Sequence, residues 1–412
     1  MAAKNTITKI ATMYGASILA VVLGFLVSIF NSRILGPEQF GDYKFIQTVG
    51  TLIASLISVG FFISLTRLLA INKEKIKEAK FVGLFVIIFG IVSVIGMVLM
   101  LAFSLIEPIF FDHGLDSKFR IFFFIIPAIL GVIALKEVLK GMHRIYALSI
   151  LSFIPALLYL AIIFPLSKVM EVNLEQVLLV FYGIGTAIVA FYIIRLKPNF
   201  SFKKSIVKEL MIENQQNGKP IYYGSIAGVA TQHIAGISIS YFMDNIQVGF
   251  FMLAMTICKP ILMIPSVIGT VYFKQFATIK AIPKKAFIFS ILSTLIALLV
   301  FYFLIEMVVV TFYSEEYLEV SGIAKILILG FIFHGLGDLF NRFLGAKGKG
   351  KLLRNAAYIV GIVNVLGYTI LVKYFDLNGA ILTKILASGL YMIVMCFYYL
   401  RFVKNNKNEV VS

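Results

Sequence analysis

About a dozen long apolar stretches run through this chain of 412 residues, and they leave it few folds to choose from. They occupy positions 10–33, 43–69, 81–106, 119–139, 145–167 and 177–194, then 221–243, 249–273, 287–312, 320–344, 353–374 and 379–402. A helix of roughly 20 residues, rising 1.5 Å per residue, covers about 30 Å of hydrocarbon. Lipid offers no water to unpaired backbone groups, so such stretches must be helices, and the chain reads as a polytopic membrane protein. Composition agrees: 60% of residues are hydrophobic and only 14% charged, where a soluble domain approaches about a quarter charged. The first stretch is too long for a cleavable signal peptide and lacks a small-residue cleavage site.

The basic residues give the orientation, because positively charged loops stay on the cytoplasmic side. Most of the 37 lysines and arginines fall at the N-terminus, in every second gap, and at the C-terminus. Examples are Lys73, Lys75, Lys77 and Lys80, then Lys203, Lys204 and Lys208, then Lys347, Lys349 and Lys351. The opposite side holds only Arg33, Lys44, Lys118, Arg120, Lys168, Lys325, Lys373 and Lys384. Both termini are therefore expected in the cytoplasm. The net charge of +17 is this topology signal meeting anionic lipid, and does not point to nucleic acid. Two cysteines, Cys258 and Cys396, sit in different apolar stretches and imply no disulfide framework.

The polar segment 197–219 divides the chain into an N-terminal lobe (1–196) and a C-terminal lobe (220–412), each with six stretches. A short interfacial helix is expected within 207–212 of this linker. The lobes echo one another at an offset of about 208 residues, which sets Gln39-Phe40-Gly41 beside Gln247-Val248-Gly249. Six helices per copy give both copies one orientation, a parallel repeat. The first helix of each lobe carries a stripe of small and polar residues: Ser17, Ala20, Gly24, Ser28 and Asn31, and Ser225, Gly228, Gln232, Gly236 and Ser240. Small residues also serve close helix packing, but Asn31 and Gln232 favour a wet surface, so both stripes are expected to line a path between the lobes.

Lys259 is the costliest residue, near the centre of the eighth stretch beside Pro260. An ammonium at bilayer centre costs about 2.5–3.5 kcal/mol on insertion scales, so it usually faces a cavity; the bland alternative pairs it with a carboxylate such as Asp338. Arg33, Lys44 and Arg67 lie near helix ends and suit either an interfacial or a site role. His233 is a packing residue or an ion-coupling group. On the tenth stretch His334, Asp338, Asn341 and Arg342 share one face, where Asp338 is a second coupling candidate or half of an i,i+4 ion pair with Arg342. No phosphate-cradling GxxxxGK[ST] loop, HExxH or CxxC pair occurs. No metal, cofactor or enzymatic activity is expected.

The segment Asn31-Ser32-Arg33-Ile34-Leu35-Gly36-Pro37-Glu38-Gln39-Phe40-Gly41-Asp42-Tyr43 resembles the R-x-LG-x-x-x-[YF]-G-x-[YF] turn of the polysaccharide transporter branch of the multidrug/oligosaccharidyl-lipid/polysaccharide exporter superfamily. The resemblance implies an all-α integral membrane protein of about twelve transmembrane helices, in two pseudosymmetric six-helix lobes around a central cavity. It implies a flippase that moves undecaprenyl-diphosphate-linked oligosaccharides, such as O-antigen units, from the inner to the outer leaflet of the bacterial cytoplasmic membrane by alternating access. Membrane lipids and the glycan polymerase and ligase machinery are the expected partners. Lys259, Arg33, Arg67, Gln232 and Asn31 are the candidate substrate-binding residues, and His233 and Asp338 the candidate coupling residues. An ion-coupled multidrug antiporter of the same superfamily is the alternative, disfavoured because the N-lobe acids sit near helix ends. A membrane-embedded glycan polymerase or ligase is disfavoured by short outer loops.

Overall fold

The computed structural model describes the backbone of residues 2–72, 74–201 and 203–408, with side chains except at 2–11, 14, 224, 225, 227, 229–232 and 406–408. Every regular element among these residues is helical. Among the described residues, eight helices are long and apolar enough to cross a membrane, so the chain is a multi-pass integral membrane protein. Two of the eight are about double length, Gly15–Leu56 with 42 residues and Gly350–Asn405 with 56. An unbroken helix of such length would be at least twice the thickness of the hydrocarbon. Both are interrupted. Helix α1 (Ala2–Leu56) breaks at Gly36, where φ is 67° and ψ 175°, a region that a side chain all but forbids. Pro37 follows, and its missing N–H costs nothing where a new helix starts. The sequence suggests a loop over 34–42; the structure reduces it to one glycine. The second break, at Asp376 (φ 52°, ψ −137°), lies inside α15 (Val372–Asn408).

The chain forms two compact units, Met1–Val229 and Ala230–Ser412. In unit 1, α1 is followed by α2 (Phe61–Ile71), α3 (Lys75–Phe110), α4 (Asp116–Ile121), α5 (Ile125–Gly141), α6 (Ile145–Val169) and α7 (Leu174–Leu196). Its core joins Phe62, Phe81, Phe85, Leu130, Leu135 and Leu139, all buried. A second knot of rings surrounds Phe45, with Phe111 and Phe119 at centroid distances of 5.2 and 6.0 Å. The side-chain Oε1 of Gln39 accepts from the Leu174 amide at 2.9 Å, so the turn after Gly36 also anchors the start of α7.

The linker is not a loose tether. Its helix α8 (Lys204–Glu213) lies along α2 and α3 and is longer than the 207–212 the sequence suggests. Leu210 is fully buried. Glu213 pairs with Arg67 and Glu209 with Lys77, each at 2.9 Å. Ser64 Oγ donates to the buried Asn214 Oδ1 at 3.1 Å. The ion pairs are partly exposed and contribute about 0–1 kcal/mol each, so the buried leucine and asparagine hold the strap. Leu210→Asp is expected to release it, since burying a carboxylate without partners costs several kcal/mol. Trypsin should then cut at Lys204 and Lys208 at least tenfold faster, whereas Arg67→Ala should leave the cutting rate near that of the natural chain.

Helix α9 (Lys219–Phe242) crosses the boundary between the units. Unit 2 continues with α10 (Asn245–Val271), α11 (Phe273–Phe276), α12 (Lys284–Phe312), α13 (Leu318–Ala346), α14 (Gly350–Leu366) and α15. Asp244 caps α10 by accepting from the Gln247 amide at 2.8 Å. Thus the turn echoing Gly36-Pro37 uses an acidic cap instead. Helix α13 is the centre of the unit, packed between α10 and α15, with Leu339, Phe340, Phe343 and Leu344 buried. Helix α12 leaves Ile296, Leu299 and Phe303 exposed. Such a face suits lipid and not water.

Candidate functional site: polar groups within the spans

Unit 2 gathers its polar side chains on the seam between α13 and α15. His334, Asp338 and Asn341 recur at helical spacing on α13, and Lys384 and Tyr391 do so on α15. The Tyr391 ring stacks on His334 at 4.6 Å and 22°. Its hydroxyl donates to Asp338 Oδ1 at 3.1 Å and accepts from Asn341 Nδ2 at 2.8 Å. Lys384 lies over the Phe331 ring at 5.1 Å and reaches His334 electrostatically, as does Asp338. Room for this comes from Gly337: a Cβ there would sit 2.6 Å from the Tyr391 ring, closer than packed carbons approach. The i,i+4 pair of Asp338 with Arg342 is not formed. Arg342 instead donates to Ser266 Oγ of α10 at 3.3 Å.

The gap count assigns Lys384 to the outer side. The structure places its stem against Gly330, well inside α13, because the last stretch starts at the Asp376 break and Lys384 is already two turns into it. The signal was present: Lys384, Ser388 and Tyr391 form an i, i+4, i+7 stripe facing the His334 stripe. Counting charges by gap hides it.

Unit 1 carries an uncharged counterpart. Asn31 is fully buried, and its Oδ1 accepts from the Tyr159 hydroxyl at 2.5 Å. Tyr43 neighbours Asn31 and Gln47, and Tyr182 neighbours Gln47. Asn31 Nδ2 and the Tyr182 hydroxyl have no hydrogen-bond partner among the described residues. Tyr159 and Tyr182 come from α6 and α7, and no spacing along the sequence brings them to Asn31. The small-polar stripe is exposed at Ser17 and Gly24 but buried at Ser28 and Asn31. A Cβ on Gly24 would meet nothing within 4 Å, so this glycine is not serving close packing inside the unit.

The remaining candidates are scattered. Lys259 lies on the exposed face of α10 with Pro260 and Val267, while Ile257, Cys258 and Ile261 face the core. It makes no hydrogen bond or ion pair among the described residues, and none with Asp338. Arg33 is exposed near the Gly36 break. Arg67 is engaged by Glu213 of the strap. His233 is half-buried, and the side chain of Gln232 lies outside the described residues. Glu107, buried near the end of α3, accepts from the His113 amide at 3.0 Å and so caps its own loop.

A signature described as "Polysaccharide biosynthesis protein" matches residues 7–280. No curated protein sequence matches the chain. The structure resembles the lipid II flippase MurJ in an inward closed conformation, with a TM-score of 0.72 and 16% identity over 95% of this chain and 90% of that one. It also resembles an inward-facing MATE family multidrug transporter (TM-score 0.64, 16% identity, 97% of this chain and 99% of that one). The MATE multidrug transporter DinF-BH follows at 0.61, with 16% identity and 95% of both chains covered. At such identities the likeness concerns fold, and the family assignment rests on the signature, which covers well over half of the chain. The chain belongs to the polysaccharide biosynthesis protein family, a family of membrane transporters and not of enzymes, and it has the fold that MurJ and the MATE transporters share.

Proposed function

We propose that this protein is a flippase that carries undecaprenyl-diphosphate-linked oligosaccharide units from the inner to the outer leaflet of a bacterial cytoplasmic membrane. The observation that carries this reading is Lys259, a cation within a membrane span, on an exposed helix face and without a partner among the described residues. A group so costly in lipid needs an anion, and a diphosphate carries about two negative charges that an ammonium meets through charge-assisted hydrogen bonds. The exposed hydroxyl of Ser17 on the α1 stripe is assigned to sugar. Arg33 and, by residue type, Gln232 are assigned to substrate binding and His233 to coupling, while Asn31 is buried in unit 1 beside Tyr159.

The proposal includes twelve crossings, in lobes 1–196 and 220–412 joined by the linker 197–219, with both termini cytoplasmic. The breaks at Gly36 and Asp376 support that count, since each divides a double-length run, Gly15–Leu56 or Gly350–Asn405, into two pieces long enough to span. Parallel repeats of this kind work by alternating access. Moving two negative charges outward across a membrane that is negative inside is favoured by roughly 4–5 kcal/mol per 100 mV, so no hydrolysis is needed.

The multidrug antiporter reading is kept by one observation, Asp338 within a span. A cation site needs carboxylate lone pairs, and one oxygen of Asp338 already accepts from Tyr391. The test is leaflet translocation of a fluorescent undecaprenyl-diphosphate oligosaccharide in proteoliposomes of the natural chain. Protection of the fluorophore from an external quencher, changing with time only when the protein is present, is the expected result. No movement of that lipid together with ion-driven dye extrusion would transfer the protein to the antiporters.

A further inference from the structure

We propose that the pocket where the α5–α6 turn meets the end of α7 is a binding site for the anionic headgroup of a resident phospholipid, of the phosphatidylglycerol kind. It does not depend on which substrate the protein carries.

The spans place this pocket at the membrane boundary. Ile145–Val169 and Leu174–Leu196 are consecutive crossings, so the start of one and the end of the other lie at the same level. Lys140, Arg144, Arg195 and Lys197 cluster there, on the side expected to face the cytoplasm. Helix α5 ends through His143, which takes the left-handed conformation at φ 54°. The His143 amide donates to the Lys140 carbonyl at 3.1 Å and the Arg144 amide to the Leu139 carbonyl at 2.9 Å, a closing turn that fixes where Arg144 leaves the backbone. The Tyr192 hydroxyl donates to the Ala147 carbonyl at 3.3 Å and ties the end of α7 to the start of α6. Between them is a cavity of about 460 Å³ whose lining includes His143, Arg144, Tyr146, Ile150, Phe191 and Arg195. That volume is within the roughly 300–1,000 Å³ of small-molecule sites.

The lining suits a phosphodiester with a tail. A guanidinium presents a planar fork of donors that matches a phosphate. Arg195 makes no ion pair among the described residues and is held over the Phe191 ring at 5.9 Å. Arg144 has Glu78 at 3.7 Å, beyond hydrogen-bond reach, so its donors are not spent on that carboxylate. Two guanidiniums less one carboxylate leave one positive charge, the match for a phosphodiester and half of what a diphosphate needs. The Tyr146 and Ala147 amides, in the first turn of α6, have no backbone partner among the described residues and add the positive end of that helix.

Deeper in the spans the lining turns apolar. Ile150 is 44% exposed and Phe191 56%, an open floor on which an acyl chain can lie. Half-exposed Tyr146 stands at the boundary, where aromatic rings sit at headgroup level. A soluble anion would engage the arginines and leave this floor bare, whereas a lipid covers both. Basic pockets between spans on the cytoplasmic side take headgroups of this kind.

The chain contains no tryptophan, so Tyr146→Trp places a single emitter at the pocket. The deciding experiment reconstitutes that variant in phosphatidylcholine bilayers and compares quenching by phosphatidylglycerol and by phosphatidylcholine, each with brominated acyl chains. Phosphatidylglycerol is expected to be preferred at least tenfold. Arg195→Gln should lower the preference about tenfold, the loss of one charged hydrogen bond, and Arg144→Gln with Arg195→Gln should bring it near one. Arg195 has no ion pair to lose, so its single variant decides should the double variant fail to fold. Lys351→Gln, an exposed residue of unit 2, is the control for surface charge and should leave the preference unchanged. Equal quenching by the two lipids, or a preference that both arginine variants keep, overturns the proposal. A loss as large in Lys351→Gln as in Arg195→Gln reduces the effect to surface potential and overturns it too. Relief of quenching by inorganic phosphate would assign the pocket to a soluble anion, and full relief by an equimolar amount of undecaprenyl diphosphate would assign it to the substrate; either result removes the phospholipid. Translocation is not read in this assay, so the flippase reading stands or falls separately.

Discussion

Lys259→Ala is expected to slow translocation of the lipid-linked oligosaccharide by about 10- to 100-fold, the consequence of losing a charged hydrogen bond of about 1.5–3 kcal/mol. Lys259→Arg should retain most of the rate, since a guanidinium presents its charge to a diphosphate in a two-pronged geometry. The pair separates charge from packing: the exposed face of α10 tolerates either side chain without repacking the core. The alanine variant should also lose binding of the diphosphate lipid by the purified protein, in proportion to its rate. Equal rates in the natural chain and both variants would remove Lys259 from the mechanism.

The second large effect concerns folding. A Cβ on Gly379 would lie 2.0 Å from the carbonyl oxygen of Leu371 and 2.3 Å from its carbonyl carbon. Leu371 ends the π-helical turn Gly367–Leu371, and the chain breaks at Asp376 before α15 continues. Both contacts are to backbone, which has no rotamer to turn away. Gly379→Val should therefore cost about 3 kcal/mol or more, at or beyond the upper end of overpacking. Thermal unfolding in detergent should show a clearly lowered midpoint and a smaller monodisperse yield. Gly24→Val is the control, because open space surrounds that position and a β-branched residue alters helix propensity by only about 0.5 kcal/mol.

How much could be read in advance differs between elements for physical reasons. The spans were legible because hydrophobic length is a local property, and so was the strap, whose polar composition interrupts them. The turn motif contains the Gly36 break but not its compactness: the nine-residue loop suggested by the sequence is one residue in the structure, where Phe40 and Tyr43 on its far side are buried and continue the helix. His334, Asp338 and Asn341 were visible as one face. Their partner Tyr391 was not, because its distance along the chain says nothing of a seam between two helices. Arg67 reads as a candidate for substrate from its charge alone, and only the strap shows where that charge is spent.

The sequence by itself determined that this is a helical, multi-pass membrane protein and which family it belongs to, because the cost of exposing peptide groups and charges to lipid acts residue by residue. The tertiary structure decided which polar groups meet. Tyr159 bonds the side-chain oxygen of Asn31, Tyr391 joins His334 to Asp338, and Lys259 is left without a partner among the described residues. These are pairings between helices, set by the register of one helix against another, and register depends on glycine notches and ring contacts spread over the whole unit.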